Sequence, residues 1–341
     1  MARRLESLSI RNRKLNSIQL VVRKGASPLL SKMITKFVIA FNSLLLILLG
    51  VNSYAQQSAD RHFKPVVDAP AYTKNFPRVL FDEAHNNSET VNGRYKPFAD
   101  LLFSDGYHIV ANRKPFTKES LQTFKVLVIV NPLGAEDIDD DGAGSPAFTV
   151  QECDAIFNWI RAGGSLLLIA DPVPFAAATE ILATRLGVEM AKGYTTDPAN
   201  QDKESNEPSR ESGVIIYSRE NNLLALHAIT NGRNETERIN RVMTFVGQSL
   251  KGPTESDAFL KLADTAVDNV TSAAKSGSAA GRAQGIAVRL GKGRAVVLGD
   301  AAMLSAQVTG SDNRPFGMNT PDVDNMQLAL NIMHWLTGLL K

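Results

Sequence analysis

Four apolar runs in this chain end in polar side chains, a pattern typical of parallel strands that open onto a ligand-binding crevice. The runs begin at residues 78, 125, 165 and 294 and read RVLFDEAHNN, KVLVIVNPLG, SLLLIADP and RAVVLGD. Such continuous apolar stretches indicate strands that are buried on both faces by helices. The carboxyl ends of parallel strands meet at one edge of the sheet, so we expect the polar side chains that follow them to converge there.

Helical segments alternate with these runs, and this alternation predicts right-handed parallel crossovers. The expected fold class is therefore α/β, with a mostly parallel sheet flanked by helices. Thr149 and Glu152 form a capping-box pair at the start of the helix that ends at Arg161. A tight turn at residues 291–293 predicts an antiparallel hairpin near the carboxyl terminus. The other predicted helices span residues 95–103, 116–124, 175–186 and 324–340, and the polar stretches 193–213 and 266–282 are expected to be surface loops.

The first 55 residues differ in composition from the rest of the chain, with nine Lys or Arg and one acidic residue. The apolar run 37–51 is shorter than the roughly 20 residues of a membrane span, and Ser53-Tyr54-Ala55 fits a signal-peptidase site. We expect cleavage near Ala55, translation from Met33 with residues 1–32 as an extension, and a secreted or periplasmic protein. An uncleaved N-terminal membrane anchor is the alternative. Residues 56–77 are predicted to be a linker or an arm, and the domain to span residues 78–341.

Removing this leader changes the charge of the protein. The remaining chain has 28 of the 37 basic residues and 34 of the 35 acidic residues, a formal charge of −6. A mildly acidic chain lacks the basic footprint of nucleic-acid binding, so nucleic acid is not an expected partner. The single cysteine, Cys153, excludes an intrachain disulfide, and its place in a predicted helix indicates a packing role.

The polar residues expected at or near the crevice are the candidates for ligand binding. Asp82-Glu83-Ala84-His85 matches the acidic box of a helicase family, but the chain lacks the GxxxxGK[ST] phosphate loop that this chemistry requires. These ionisable side chains either bind a metal or polar ligand, or brace neighbouring loops. Asp300 has the further alternative of a helix N-cap. The full candidate set is Asp82, Glu83, His85, Asn86, Asn131, Asp171, Asp300 and Asn319.

Two further motifs carry candidate chemistry. Asp137, Asp139 and Asp141, followed by Gly142, have the spacing of a calcium loop, and calcium is the one cofactor candidate. Phe148 stands at the twelfth position, where an EF-hand has a glutamate, so a solvated acidic loop is the alternative. His227 follows an apolar stretch and is either a crevice residue or a structural histidine.

Several segments of the chain form a recognisable combination: FDEAHNN, YKPFADLLFSDGY, GGSLLLIADP, HAITNGR with INRVMTFVGQSL, VVLGDAAMLSAQ and FGMNTPDVDNMQLALNIMHWL. Together they resemble secreted bacterial proteins of unknown function in the class I glutamine amidotransferase-like superfamily. Auxiliary domains of gliding-motility transporters and domains of intraflagellar-transport proteins are similar at a greater distance. The resemblance implies a flavodoxin-like sheet. It also implies a nucleophilic Cys at a strand-to-helix elbow, but here Asp171-Pro172 follows the corresponding strand, so glutaminase activity is not expected.

These observations lead to one main functional hypothesis and two alternatives. The main hypothesis is a catalytically degenerate amidotransferase-like domain that binds a polar small molecule or glycan, or another envelope protein, at the crevice. The first alternative is a hydrolase in which Asp82 or Glu83 works with His85, His227 or Asp171, with or without a divalent ion. The second is a structural protein that binds a partner through an exposed apolar patch.

Overall fold

A nine-stranded mixed sheet forms the centre of the domain in the computed structural model. The strand order is β3-β2-β4-β5-β15-β14-β10-β6, and β11 pairs with β14. The strands are β1 (Ser58–Ala59), β2 (Arg78–Asp82), β3 (His108–Asn112), β4 (Val126–Val130), β5 (Ser165–Ile169), β6 (Glu189–Met190), β7 (Tyr194–Thr196), β8 (Val214–Ser218), β9 (Arg241–Phe245), β10 (Leu250–Lys251), β11 (Asp257–Lys261), β12 (Val267–Asn269), β13 (Gly277–Ser278), β14 (Ala283–Leu290), β15 (Gly293–Leu298), β16 (Ala306–Thr309) and β17 (Arg314–Gly317).

Helices cover the sheet on both faces, as expected for an α/β fold. The helices are α1 (Lys96–Ser104), α2 (Lys118–Leu121), α3 (Val150–Arg161), α4 (Phe175–Arg185), α5 (Ala228–Asn231) and α6 (Asn325–Thr337), with 3₁₀ turns at Glu235–Glu237 and Ala302–Leu304. Alternate residues of β4 face opposite layers: Val128 packs with the core under α1 and α6, and Ile129 packs with the core under α3 and α4. This division accounts for the continuous apolar runs, because the central strands have no solvent-facing side.

The structure describes residues 57–201, 213–254, 256–269, 276–310 and 313–341. The predicted signal peptide and its extension lie outside the described residues, as do residues 202–212 of the predicted loop 193–213. The described parts of the predicted loops 193–213 and 266–282 instead contain β7, β12 and β13, which form a three-stranded sheet. Residues 57–341 form one compact unit. None of the helices in the described ranges combines the length and the apolar character needed to cross a membrane.

The expectation of a mostly parallel sheet holds for only one half of the sheet. Strands β3, β2, β4, β5 and β15 are mutually parallel, whereas β14, β10, β6 and β11 are joined by antiparallel pairings. Parallel neighbours need long crossovers, usually helical. Such crossovers link the strands from β2 to β5, but β14 and β15 are joined by a tight turn. The second half of the chain therefore builds antiparallel structure.

The predicted hairpin and capping box are both present. In the hairpin, Leu290 pairs with Gly293, so Gly291 and Lys292 alone form the turn. At the start of α3, the Thr149 hydroxyl accepts the Glu152 N–H at 3.3 Å, and the Glu152 carboxylate accepts the Thr149 N–H at 3.0 Å. The helix predicted over residues 116–124 is shorter than expected, since α2 has a single turn.

Residues 57–77, predicted to be a linker or an arm, lie along the domain. Strand β1 pairs with β16 in a three-stranded sheet that also contains β17. Tyr72 packs edge-on against Tyr107 at 5.2 Å, and its hydroxyl donates to Thr337 at 2.7 Å. Gly106 has a φ of +89°, and a Cβ at this position would approach the Tyr72 carbonyl oxygen to 1.9 Å. Glycine at residue 106 therefore permits the close approach of this arm.

Candidate functional site

The ends of β4 and β5 are joined by reciprocal hydrogen bonds between Asn131 and Asp171. The Asn131 Nδ2 donates to Asp171 Oδ2 at 2.7 Å, and the Asp171 N–H donates to Asn131 Oδ1 at 2.8 Å. The other oxygen of Asp171 accepts the Ala301 N–H at 2.7 Å, which connects β5 to the segment that follows β15. The structure thus brings together two of the predicted crevice residues at the carboxyl edge of the sheet.

The loop that follows β2 places an unpredicted acidic residue, Glu89, in this cluster. Its side chain is buried, with the Ser88 hydroxyl donating to one carboxylate oxygen and Arg94 lying 3.5 Å from the other. The Ser88 N–H donates to the Asn131 carbonyl at 3.2 Å, so the loop is fastened to the end of β4. We call Ser88, Glu89, Arg94, Asn131 and Asp171 the Glu89–Asp171 cluster.

Two carboxyl groups in the Glu89–Asp171 cluster have raised pKa values. Burial raises the pKa of Glu89 to about 7; the negative charge of Asp171 adds to this, and the cation of Arg94 opposes it. Burial also raises the pKa of Asp171, against the hydrogen bonds from Ala301 and Asn131 that lower it. The pair therefore holds a proton near neutral pH. Asp171 is partly exposed and Arg94 is 38% exposed, so the cluster reaches solvent.

Sequence reasoning missed Glu89 and Arg94 because their loop, HNNSETVNGR, has no periodicity and no motif. Nothing in these letters distinguishes a buried glutamate from a solvated one. The one available signal was position, because loops that follow the strands of an α/β sheet line its crevice. That signal applies equally to every polar residue of the loop.

Asp82 and His85 form a closed network with Glu152. The His85 Nδ1 lies 2.9 Å from both Asp82 oxygens, and its Nε2 lies 2.9 Å from Glu152 Oε1. The imidazole packs against both Phe116 and Phe148, with ring centroids at 5.0 and 4.5 Å. Burial alone would lower the pKa of His85, but the two carboxylates outweigh burial and raise it. Of the two roles left open for these residues, the geometry favours bracing.

Glu83 and Asn86 lie beside this network. The Glu83 carboxylate accepts the Val91 N–H at 3.0 Å, and its second oxygen binds Arg113 at 3.1 Å. Glu83 therefore also braces the loop after β2. Asn86 is exposed and has a φ of +49°, a conformation that asparagine tolerates better than most residues.

Asp300 and Asn319 are occupied by structural hydrogen bonds. Asp300 is fully buried and accepts N–H groups from Met303, at 2.9 Å, and from Phe245. Burial raises its pKa well above the usual range, and the charge of Asp171 adds to the effect. Asn319, expected near the crevice, instead donates to Asp60 at 3.0 Å and holds the arm. Asp300 thus lies next to the Glu89–Asp171 cluster, and Asn319 follows β17 and bonds to the arm and to β16.

The structure places His227 toward the end of the main sheet that lies opposite the carboxyl ends of the parallel strands. Its Nδ1 accepts the Ile229 N–H at 3.1 Å and caps α5, while its ring lies 5.5 Å from that of Trp335. The Trp335 carbonyl accepts a hydrogen bond from the Arg294 guanidinium. Arg294 lies near the start of β15, whereas Asp300 follows the end of this strand. Burial lowers the pKa of His227. His227 is therefore too far from the carboxyl edge to act with Asp82, Glu83 or Asp171, whereas another pair of the proposed hydrolase set, Asp82 and His85, is in contact.

The predicted calcium loop does not form a coordination site. Asp137, Asp139 and Asp141 are exposed, and the Asp137 carboxylate accepts the Asp139 N–H at 3.2 Å. Across the described ranges, no three His, Cys, Asp or Glu side chains are arranged to hold a metal ion. Aspartate side chains commonly accept hydrogen bonds from the backbone N–H groups of their own turn. This role explains why the spacing resembles a calcium loop although the carboxylates do not converge on one point.

Cys153 lies within α3 and faces the core. Burial raises the pKa of its thiol to about 11, so almost none is thiolate at neutral pH. Cys153 therefore lacks the properties of an amidotransferase nucleophile, as expected from its helical position.

Comparison with known proteins identifies the fold and no family. No family model and no curated protein matches the chain. Among solved structures, the mmIFT52 N-terminal domain is similar, with a TM-score of 0.54 and 15% identity over 76% of this chain and 97% of that domain. The cytoplasmic protein STM3548 from Salmonella typhimurium has a TM-score of 0.43 and 13% identity over 76% of this chain and 99% of its own.

The likeness to the mmIFT52 N-terminal domain supports the α/β fold that the sequence predicts. At 15% identity the likeness concerns the fold alone. The chemistry of this chain must therefore be argued from its own residues.

Proposed function

We propose that this chain is a secreted or periplasmic, catalytically degenerate amidotransferase-like protein that binds a polar small molecule or glycan at the Glu89–Asp171 cluster. The observation that carries the proposal is a buried glutamate with a pKa of about 7 beside a partly exposed aspartate, at the strand ends. Perturbed carboxyl groups at such an edge are characteristic of functional sites.

The chemistry of the cluster suits a ligand with hydroxyl groups. Carboxylate oxygens accept hydrogen bonds, a protonated carboxyl donates one, and the Arg94 guanidinium donates several. A sugar hydroxyl can both donate and accept, so it can satisfy such a mixed set. A strongly anionic ligand would be repelled by the two carboxyl groups, and Arg94 is already engaged with Glu89.

The same residues support the loss of amidotransferase activity. Asp171 occupies the strand end where the superfamily resemblance implies a nucleophilic thiol, and both of its oxygens accept hydrogen bonds from the protein. Cys153 is buried within a helix. Glutamine hydrolysis by this family's route requires a thiolate at the elbow, so binding is the better supported function.

A hydrolase remains the second candidate, in a form different from that expected from the sequence. Glu89 and Asp171 form a carboxyl pair in which one member holds a proton near neutral pH. A protonated and an ionised carboxyl group can act as general acid and general base. This version requires neither Asp82 nor His227.

The proposal predicts a ligand that stabilises the full chain through the Glu89–Asp171 cluster. We expect a panel of neutral oligosaccharides and polyols to contain a probe that raises the melting temperature, because binding to the folded state stabilises it. Calorimetric titration with that probe should show affinity reduced by about tenfold or more in Asp171→Asn and Glu89→Gln, because each replaces a carboxyl group that binds the ligand by hydrogen bonds.

The exposed Asp139→Asn is the matched control and should bind as the unmodified chain does. If no member of the panel shifts the melting temperature, or if all three variants bind equally, the proposed site is wrong. Chromatography of the bound probe after incubation separates the two candidates, since a hydrolase converts the probe and a binding protein leaves it intact.

A further inference from the structure

Strand β3 is the last strand on one side of the main sheet, and its outer edge is open. In the described part of the chain, β3 pairs with β2 alone. The His108 N–H and the Asn112 carbonyl both bond toward β2. Backbone direction alternates along a strand, so the N–H and C=O groups of Ile109 and Ala111 point away from the sheet. Such an edge is a template for another strand.

One surface depression lies beside this edge, and a second depression shares Phe124 with it. The first, of about 500 Å³, is lined by Val110 and Ala111 of β3 and by Phe124. The second, of about 480 Å³, extends from Phe124 to Trp159 of α3. A Cβ at residue 164 would come within 2.3 Å of the Trp159 ring, so glycine there allows the indole to lie against the backbone. A groove with apolar side chains in its lining thus begins beside the open strand and continues past Phe124 toward α3.

The charged residues that line the groove are all cationic. Arg113 and Lys114 line the first depression and Lys118 lines the second, with no Asp or Glu in either lining. Arg113 binds Glu83 but remains 75% exposed. Lys114 and Lys118 are exposed, and Arg78 lies over the Phe124 ring at 4.3 Å. This basic surface contrasts with the net acidic charge of residues 56–341.

We propose that the β3 edge and this groove, which we call the β3 groove, dock an extended acidic segment of a partner protein. The segment adds to the sheet as a strand, bonding the outward N–H and C=O groups of Ile109 and Ala111. Its acidic side chains face Arg113, Lys114 and Lys118, and an apolar side chain enters the depression at Phe124. This binding surface is separate from the Glu89–Asp171 cluster.

A peptide is the occupant that uses both features of the surface. An acidic polysaccharide would contact the cations but would not form a ladder with alternate backbone groups of β3. The basic residues after β3 also resemble the charges by which proteins protect open edges from aggregation. Apolar depressions beside the edge are not needed for protection, and they favour docking.

The first test uses a fluorescein-labelled peptide of about nine residues with alternating glutamate and valine, a length typical of strands. Fluorescence anisotropy with the full chain should show saturable binding that weakens as salt is added. A peptide N-methylated at alternate backbone positions should bind about tenfold or more weakly, because it cannot form the ladder. Hydrogen exchange should slow at the Ile109 and Ala111 amides more than at Val110.

Variants of the β3 groove provide the second test. Lys114→Glu and Lys118→Glu should each weaken binding several-fold, whereas Lys261→Glu, an exposed lysine on β11, should leave it unchanged. Ala111→Pro removes an outward N–H that the sheet does not use, so the fold should persist while peptide binding is lost. If Ala111→Pro unfolds the protein, the hydrogen-exchange and N-methylated-peptide results decide whether the peptide pairs with β3.

The proposal is overturned by three outcomes. One is the absence of peptide binding up to about 1 mM. Another is equal affinity for the N-methylated peptide, which would show that charge alone is recognised. The third is tighter binding of a polysulfated glycan than of the peptide. In that case the glycan displaces the peptide and, when bound alone, does not slow hydrogen exchange at the Ile109 and Ala111 amides.

Discussion

The surroundings of individual carboxyl groups separate structural residues from candidate ligand-binding residues at the carboxyl edge. The carboxyl groups of Asp82 and Asp300 are buried and form hydrogen bonds with other groups of the protein. Asp171 is partly exposed and lies beside Glu89, whose pKa is about 7. A buried carboxyl with a pKa near neutrality costs stability whenever it ionises, and functional sites commonly carry such costs.

The titration of Glu89 predicts a specific dependence of stability on pH. Its pKa rises from 4.5 in an unfolded chain to about 7 in the folded one, so the folded state binds the proton more tightly. The stabilising contribution is complete below pH 4.5 and is lost as the pH rises through 7. By pH 8 the loss amounts to about 3 kcal/mol at most.

Glu89→Gln should remove this dependence because glutamine does not ionise. In urea unfolding, we expect the free energy of unfolding of Glu89→Gln, relative to that of the unmodified chain, to increase between pH 5 and pH 8. Asp139→Asn, which changes an exposed carboxyl, should follow the unmodified chain at each pH. A constant difference between Glu89→Gln and the unmodified chain across this range would contradict the assigned pKa.

Among the secondary-structure elements, local sequence signals predicted where helices and turns begin better than they predicted which strands pair. The Thr149 and Glu152 capping box and the turn at Gly291 are encoded by a few adjacent residues. The pairing of β1 with β16 joins segments that are far apart in sequence, and the polar composition of residues 56–77 contains no strand period. The arm is held by side chains such as Asn319, whose role depends on Asp60.

Asn319→Ala should loosen the arm without unfolding the domain. The change removes hydrogen bonds to Asp60 and to the Gln307 carbonyl, at a cost of about 1 to 3 kcal/mol. Limited proteolysis followed by mass spectrometry should show faster cleavage near residues 57–63. Asn158→Ala, at an exposed position on α3, is the control. Equal cleavage rates in the two variants would show that other contacts hold the arm.

For the whole molecule, charge and composition divide the chain at about residue 55. The basic residues within positions 1–55 account for the positive formal charge, and the remaining chain is acidic. Such a division is typical of exported proteins and supports the proposed secretion.

Export predicts a defined amino terminus in the mature protein. Expression of the complete coding region in a bacterium, followed by N-terminal sequencing of the envelope and secreted fractions, should identify a chain that starts at Gln56. Ala55→Lys should block cleavage and retain the longer chain, because signal peptidase requires a small residue there. Recovery of only uncleaved protein in the membrane fraction would favour the anchor instead.

The sequence by itself determined the buried strands, the main helices, the capping box, the hairpin and the edge where polar residues gather. These features depend on hydrophobic period and on turn and cap residues within a few positions. The tertiary structure alone decided that His227 lies at the far edge, that Asp82 is closed off by His85 and that Glu89 joins Asp171. Burial and pKa arise from neighbours that are distant along the chain, and no local pattern specifies them.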